Sequence, residues 1–373
     1  MRILYVINHA GYFLTHRLSL ALAAREAGYD VHVATPESRH VPRIRESGLS
    51  WHPIRLTRSG RNPLRELLAM VDLVRLYRRL RPDLVHHVTS KPMLYGTAAA
   101  RMTGLRAVVN AVTGLGHLHI ARDPLHRSLR GVVGLGYRLL LRHRNMKVIF
   151  QNEDDRSLFV DSRWIPSSAA VMIRGSGVDM DRFRPAPRRA ESEPVILFPS
   201  RMLRTKGIEE LIGAARLLRA RGVGARILLV GDPDPDNPAS VTEAEIAEWV
   251  DQGLVEYWGR RDQMPPVYAE ADIVCLPSYR EGLPKSLVEA AAMGLPSVTT
   301  DVPGCRDVIR DHQEGLLVPL RSVEPLAAAL ETLARDRELR IRLGSAARER
   351  AAAEFSLDRV IEATLNLYRE LLP

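Results

Sequence analysis

Residues 195–231, VILFPSRMLRTKGIEELIGAARLLRARGVGARILLVG, read as a buried strand, a loop, a helix with apolar residues at helical spacing, a glycine stop and a second strand. The same grammar opens the chain at 2–36. There RILYVIN (2–8), the loop HAGYFLT (9–15), the helix HRLSLALAAREAG (16–28) and the alternating run DVHVATP (30–36) follow in the same order. Strands alternating with helices of this length predict parallel sheets joined by crossover helices. Between the repeats lies FRPAPRRAESEP (183–194), polar and with three prolines, the composition of a linker. The expected fold is therefore α/β: two Rossmann-like domains, 1–185 and 193–355, whose parallel sheets face a central cleft. The last helix, 357–372, is free to pack on either domain, including back on the first.

Composition agrees with this division. A chain of 373 residues exceeds what one hydrophobic core usually organises. Its two cysteines, Cys275 and Cys305, exclude a disulfide framework and fit a reducing compartment. The apolar run in MRILYVINHAGYF is too short for a signal peptide. The longest apolar candidate for a membrane span, VVGLGYRLLL (132–141), is interrupted by Arg138. The net charge of +9 is unevenly spread: residues 1–187 hold 29 lysines and arginines against 14 acids, and the remainder is net negative. The basic residues gather in two helix-like stretches, 64–81 and 125–147. Such a half suits an anionic partner (a membrane surface, a polyphosphate or nucleic acid), or is a solvated face in a chain that prefers arginine. With aromatic residues at 5% and no recognition motif, nucleic acid is not expected.

Ligands of open parallel sheets bind beyond the strands' carboxyl ends. Neither first loop carries G-x-G-x-x-G, and no G-x-x-x-x-G-K-[ST] occurs, which argues against a nicotinamide dinucleotide and a P-loop NTPase. A different constellation stands in these loops. ADIVCLP (271–277) is a buried strand, SYREGLP a turn, and Pro284 the expected first residue of the helix KSLVEAAAMG. The N–H groups of Lys285, Ser286 and Leu287 would favour an anion at that start. Glu281 precedes it in EGLPKSLVE and Glu289 follows about 7 Å along the helix, so two carboxylates flank a diphosphate-sized site; alternatively both are plain surface charges. Arg201 and Lys206, in the loop after VILFPS, suit a phosphate pair whose charge grows as a bond breaks.

In the first half, Gly11 in the loop after the first strand would let a ligand approach closely. His16 and Arg17 open the next helix, where a cation opposes the helix dipole unless an anion is near. Lys91 follows the strand DLVHHV, and His117 and His119 follow AVVNAV in a glycine-containing loop; surface roles stand beside ligand roles for each. The acids of DPDPDNP (232–238) lack the turn glycine of a calcium loop, and no metal is expected.

These motifs resemble the retaining glycosyltransferases of the GT-B fold, family 4. The family's E-x7-E element falls on Glu281 and Glu289, and residues 276–309 resemble its donor-binding core. FLTHRLSLALAAREAGYDVHVATP, KPMLYGTAAAR and NAVTGLGHLH are similar to a bacterial subgroup that adds N-acetylhexosamine or related sugars to undecaprenyl-diphosphate-linked glycans. The resemblance implies a UDP-sugar donor held by Gly11, Arg201, Lys206, Glu281, Gly282, Leu283, Pro284, Lys285, Ser286 and Glu289. It implies a polyprenyl-diphosphate acceptor beside His16, Arg17 and Lys91, at the inner face of the cytoplasmic membrane, with no metal or other cofactor. Many members place a histidine directly after the strand matching AVVNAV; here Thr113 falls nearest, and the role is assigned to His117, with Thr113 and His119 as the alternatives. A UDP-sugar epimerase and an inactive nucleotide-sugar scaffold are the other readings of the same motifs. Oligomeric state is left open.

Overall fold

The computed structural model describes residues 1–56, 63–114, 133–186 and 193–372. The chain divides into two compact units, Met1–Ser176 with Val360–Pro373, and Gly177–Arg359.

The first unit is built on a sheet of seven strands: β1 Arg2–Ile7, β2 Asp30–Thr35, β3 Ser50–Pro53, β4 Leu84–Val88, β5 Ala107–Ala111, β6 Met146–Phe150 and β7 Ala170–Met172. Their spatial order is β3-β2-β1-β4-β5-β6-β7, and every pairing between them is parallel. The central strands are buried along nearly their whole length because helices cover both faces. Alternation in β1 shows this directly. Ile3, Tyr5 and Ile7 enter one core with the helices Ala10–His16 and Leu18–Glu26, whereas Leu4 and Val6 enter another with the helices Pro63–Leu80 and Ser90–Thr103. Each such side chain contributes roughly 1.5–3 kcal/mol of burial.

The final helix, Leu357–Leu371, closes the first core. Tyr368 lies within hydrogen-bond distance of the Tyr5 hydroxyl (2.9 Å) and of His86 Nδ1 (2.6 Å), and Asn145 Nδ2 donates to Leu371 O at 3.0 Å.

The second unit has six parallel strands: β8 Val195–Pro199, β9 Arg226–Val230, β10 Glu256–Tyr257, β11 Ile273–Leu276, β12 Ser297–Thr300 and β13 Gly315–Val318. Their order, β10-β9-β8-β11-β12-β13, repeats the pattern of the first six strands of the other sheet. In both sheets the order reverses beside the first strand, which makes a crevice at the carboxyl ends of β1 and β4, and another at β8 and β11.

Two boundaries differ from the sequence reading. The first unit ends at Ser176 because Val178 and Phe183 are buried in the core of the second, and Val178 pairs with Ser356. The segment 9–15 is not a loop: a helix runs from Ala10 to His16, started by the His9 side chain accepting from Tyr12 N–H at 3.0 Å. Gly11 therefore sits in a helical turn rather than in a loop. A Cβ there would lie 3.0 Å from His9 and 3.1 Å from His40, so a crowded imidazole pair, not an open approach, accounts for the glycine.

Candidate active site

Three loops of the second unit lie against one another at the carboxyl ends of β8, β11 and β12. Gly207 (φ +78°) closes the first; a Cβ there would stand 2.1 Å from the Pro277 carbonyl oxygen, so only glycine lets the first two loops touch. Tyr279 N–H donates to Thr205 O at 2.9 Å across the same contact. On the other side Glu281 N–H donates to Pro303 O at 3.1 Å, and Gly304 (φ +83°) leaves room for the Glu281 carbonyl.

This stacking brings together residues far apart in sequence. Lys206 Nζ donates to Glu281 Oε1, and Ser278 Oγ donates to that same oxygen at 2.6 Å. The lysine and glutamate side chains are 20% and 12% exposed, so the pair is shielded but reachable. Arg201, in the same loop as Lys206, is turned to Asp234, whose own N–H donates to Ser240 Oγ at 2.9 Å. The sequence reading placed Lys206 and Glu281 at one site but did not foresee that they pair directly.

Glu289 is not a surface charge. It lies on the inner side of the helix Lys285–Ala292, where Tyr268 Oη donates to its Oε2 at 3.1 Å and Lys285 Nζ stands 3.7 Å from its Oε1. Burial is the largest influence on its carboxyl group and raises its pKa; Lys285, Tyr268 and Arg182 oppose that only in part. Tyr268 also donates to Ser286 O at 3.0 Å, so one phenol fixes both the helix start and the acid.

The helix start itself departs from expectation in two details. Pro284 is the residue before the helix, with an extended ψ of 112°, and its carbonyl accepts from Leu287 N–H at 3.1 Å. The Leu287 amide is thus used internally, leaving Lys285 and Ser286 as the positions whose amides head the helix. Gly282 and Leu283 are buried in the turn before it.

In the first unit, Arg17 does not open a helix on the surface. It is the junction between two helices, 4% exposed, with Nη1 donating to His16 O at 3.2 Å and Nε without a partner. Its charge helps hold buried His86 neutral, second to burial itself. Direct contact with an acceptor phosphate is therefore withdrawn for Arg17. His16 stacks on Tyr12 with ring centroids 4.1 Å apart and meets Ser176 Oγ at 3.2 Å. Lys91, at the start of the helix after β4, pairs with Glu66 at 2.6 Å. Thr113 follows β5, and His117 and His119 lie outside the described residues.

Tyr268, Ser278, Asp234 and Glu66 are supporting residues that sequence reasoning missed. Only the glycine directly after Lys206 carried a readable signal, as a left-handed turn ahead of a helix.

Residues 2–152 match the family model for glycosyl transferase 4-like domains, and residues 193–336 the model for glycosyl transferases group 1. The chain is 26% identical, over 98% of both chains, to the N,N'-diacetylbacillosaminyl-diphospho-undecaprenol alpha-1,3-N-acetylgalactosaminyltransferase of Campylobacter jejuni. It is 21% identical to the UDP-Gal:alpha-D-GlcNAc-diphosphoundecaprenol alpha-1,3-galactosyltransferase of Escherichia coli, over 83% of this chain and 81% of that one. Among solved structures, sucrose-phosphate synthase from Thermosynechococcus elongatus superposes with a TM-score of 0.82 at 21% identity, covering 100% of this chain and 99% of that chain. HepE of Anabaena in complex with UDP superposes at 0.78 and 18% identity, covering 99% and 100%. The chain belongs to the GT-B glycosyltransferases, with a 4-like first half and a group 1 second half.

Proposed function

We propose that this glycosyltransferase moves a sugar, an N-acetylhexosamine or related hexose, from a UDP-sugar to a polyprenyl-diphosphate-linked saccharide in bacterial surface glycan synthesis, with retention of configuration. The observation that carries this reading is the cluster of Lys206, Glu281 and Glu289 around the start of the helix Lys285–Ala292, at the switch point of the second sheet. Relatives named as acting on undecaprenyl-diphosphate-linked sugars, matched over most of the chain, support the acceptor class.

In this reading the donor diphosphate lies at the helix start, near the Lys285 and Ser286 amides, where the dipole favours an anion. Arg201 and Lys206 stabilise the charge that grows on the departing UDP, supplying what a metal would otherwise supply. Glu289, buried and oriented by Tyr268, accepts the ribose hydroxyls. Glu281 binds the sugar hydroxyls and orients the sugar. Its hydrogen bond from Lys206 means that an arriving phosphate competes with Glu281 for that cation. The leaving phosphate accepts the acceptor's proton on the same face as the attack. His16 and Lys91, at the carboxyl edge of the first sheet, are assigned to the acceptor, and His117 to the sugar or acceptor. The basic first unit lies on the inner face of the cytoplasmic membrane. Among the described residues no helix is long and apolar enough to cross a membrane.

Incubating the protein with a set of UDP-sugars and short polyprenyl-diphosphate-sugar acceptors, with mass detection, tests the reading. A transferred hexose, retained after chelation of divalent metals, is the expected result. Conversion of a UDP-sugar without acceptor would point to an epimerase, and no turnover with any pair to a scaffold.

A further inference from the structure

The acid- and proline-rich stretch GDPDPDNPAS (231–240) follows β9 and lies against the loop that carries Arg201 and Lys206. Gly231 (φ +142°) makes the approach possible: a Cβ there would stand 2.1 Å from the Ser200 carbonyl oxygen. Beyond it the two loops are laced together along their backbones. Met202 N–H donates to Asp232 O at 3.0 Å, Arg204 N–H to Ala239 O at 2.8 Å and Val241 N–H to Met202 O at 3.0 Å. Arg204 braces the same contact with its side chain, donating from Nη1 to Ser240 O at 2.6 Å, from Nε to Glu209 Oε1 at 2.8 Å and from Nη2 to Glu245.

Two arginines of one loop thus differ in what they hold. Arg204 ties three segments together, whereas Arg201 Nη1 donates to the Asp234 carboxylate. The side chains of that pair are 44% and 18% exposed, and a pair so open to water adds little to stability. Yet its acid is fixed from several directions. Asp234 stands between Pro233 and Pro235, which restrict its backbone. Its N–H donates to Ser240 Oγ at 2.9 Å, and its carbonyl accepts from Asn237 N–H at 2.8 Å. Ser240 N–H closes the same turn onto Asn237 O at 2.9 Å. A stiffened loop therefore presents one carboxylate to one cation beyond a strand's carboxyl end.

A guanidinium, unlike an ammonium, is a planar fork that can hold a carboxylate on one edge and a phosphate on another, so fixing one nitrogen orients the whole group. We infer that Asp234 is a positioning residue for the transfer: it sets the orientation in which Arg201 meets the leaving diphosphate. The inference rests on the phosphate role proposed above for Arg201 and deepens it. It also gives the alternating acids and prolines, which lack the turn glycine of a calcium loop, a task of their own: holding one carboxylate still.

The test is calorimetry of UDP, the leaving group itself, binding to the full-length protein, D234A, D234N, R201A and R201A/D234A. R201A should weaken UDP on the order of tenfold and D234A about fivefold. The double variant should match R201A within about twofold, because a residue that acts through Arg201 then has nothing left to act on. D234N keeps the shape and one acceptor oxygen but loses the charge, and should fall between parent and D234A. A loop that needed Asp234 only for its fold would lose affinity again in the R201A background, so multiplied losses in the double variant overturn the inference. UDP binding in D234A equal to or tighter than the parent's also overturns it, since an acid that merely competes with phosphate would behave so. In both cases a weakened R201A leaves the phosphate role of Arg201 standing. If R201A binds UDP as the parent does, that role falls and the inference about Asp234 falls with it.

Discussion

Lys206 donates to Glu281 across two loops that follow different strands, and Ser278 Oγ holds the same carboxylate oxygen at 2.6 Å. A cation proposed for the leaving phosphate and an acid proposed for the sugar are thus partners before either ligand arrives. Replacing Lys206 by Ala removes a transition-state cation and leaves a mostly buried carboxylate unpaired. Turnover should fall on the order of a hundredfold or more, and stability by about 2 kcal/mol. K206A/E281A should recover much of the stability and none of the activity; denaturant unfolding beside steady-state kinetics separates the two effects. Near-normal turnover in K206A would end its assigned role.

Gly207 is what allows that pairing. Gly207→Ala places a methyl group against the Pro277 carbonyl at a left-handed φ of +78°. It should cost about 3 kcal/mol and reduce kcat together with stability. Thermal unfolding and kinetics on the same preparation check this, and a fully stable, fully active alanine variant would contradict the close approach.

Glu289 should show a trade between stability and function. Burial raises its pKa above the ordinary 4.5, so the folded state holds that proton more tightly than the unfolded chain does. The sign follows: that preference favours folding below about pH 4.5 and is lost as pH rises through the raised value. Glu289→Gln keeps an acceptor for Tyr268 and removes the buried charge. At pH 7 the variant should be more stable by about 1 kcal/mol and bind UDP about tenfold more weakly. Calorimetry of UDP binding alongside thermal melts tests both halves.

Acid should weaken the first unit before the second. His87 is held neutral by burial, its pKa lowered from 6.5 to about 4, between Tyr77 Oη and Asn110 Oδ1, each 2.8 Å away. His86 is shifted in the same direction by burial first and then by Arg17. A histidine depressed in the folded state contributes stability that is present above pH 6.5 and lost as pH falls toward the folded value, roughly 1.4 kcal/mol per pH unit for each. Hydrogen exchange followed by mass spectrometry from pH 7 to about 5 should show β4 and β5 opening ahead of β8 and β11. Equal opening of both sheets would refute it.

Much of the second unit was readable from residues alone. VILFPS and ADIVCLP are continuous apolar runs because parallel strands are covered on both faces, and they placed Arg201, Lys206 and Glu281 beyond strand ends. The first unit was harder to read. HAGYFLT looks like a loop by composition, yet the His9 side chain caps a helix there, a bond that no spacing rule announces. Arg17 looked like a surface cation because arginines generally are; in the structure it is buried, and its charge acts on Tyr5, His86 and Tyr368, which come from three distant segments.

By itself, then, the order of apolar runs, helix spacings and glycine stops determined two parallel α/β units and the loops that follow their strands, since these depend on local periodicity. Tertiary structure alone decided which charges are matched. Whether Lys206 meets Glu281, or Glu289 is buried under Tyr268, depends on contacts between residues tens of positions apart. Such contacts are fixed by how loops stack on sheet ends, and nothing in the local pattern encodes that stacking.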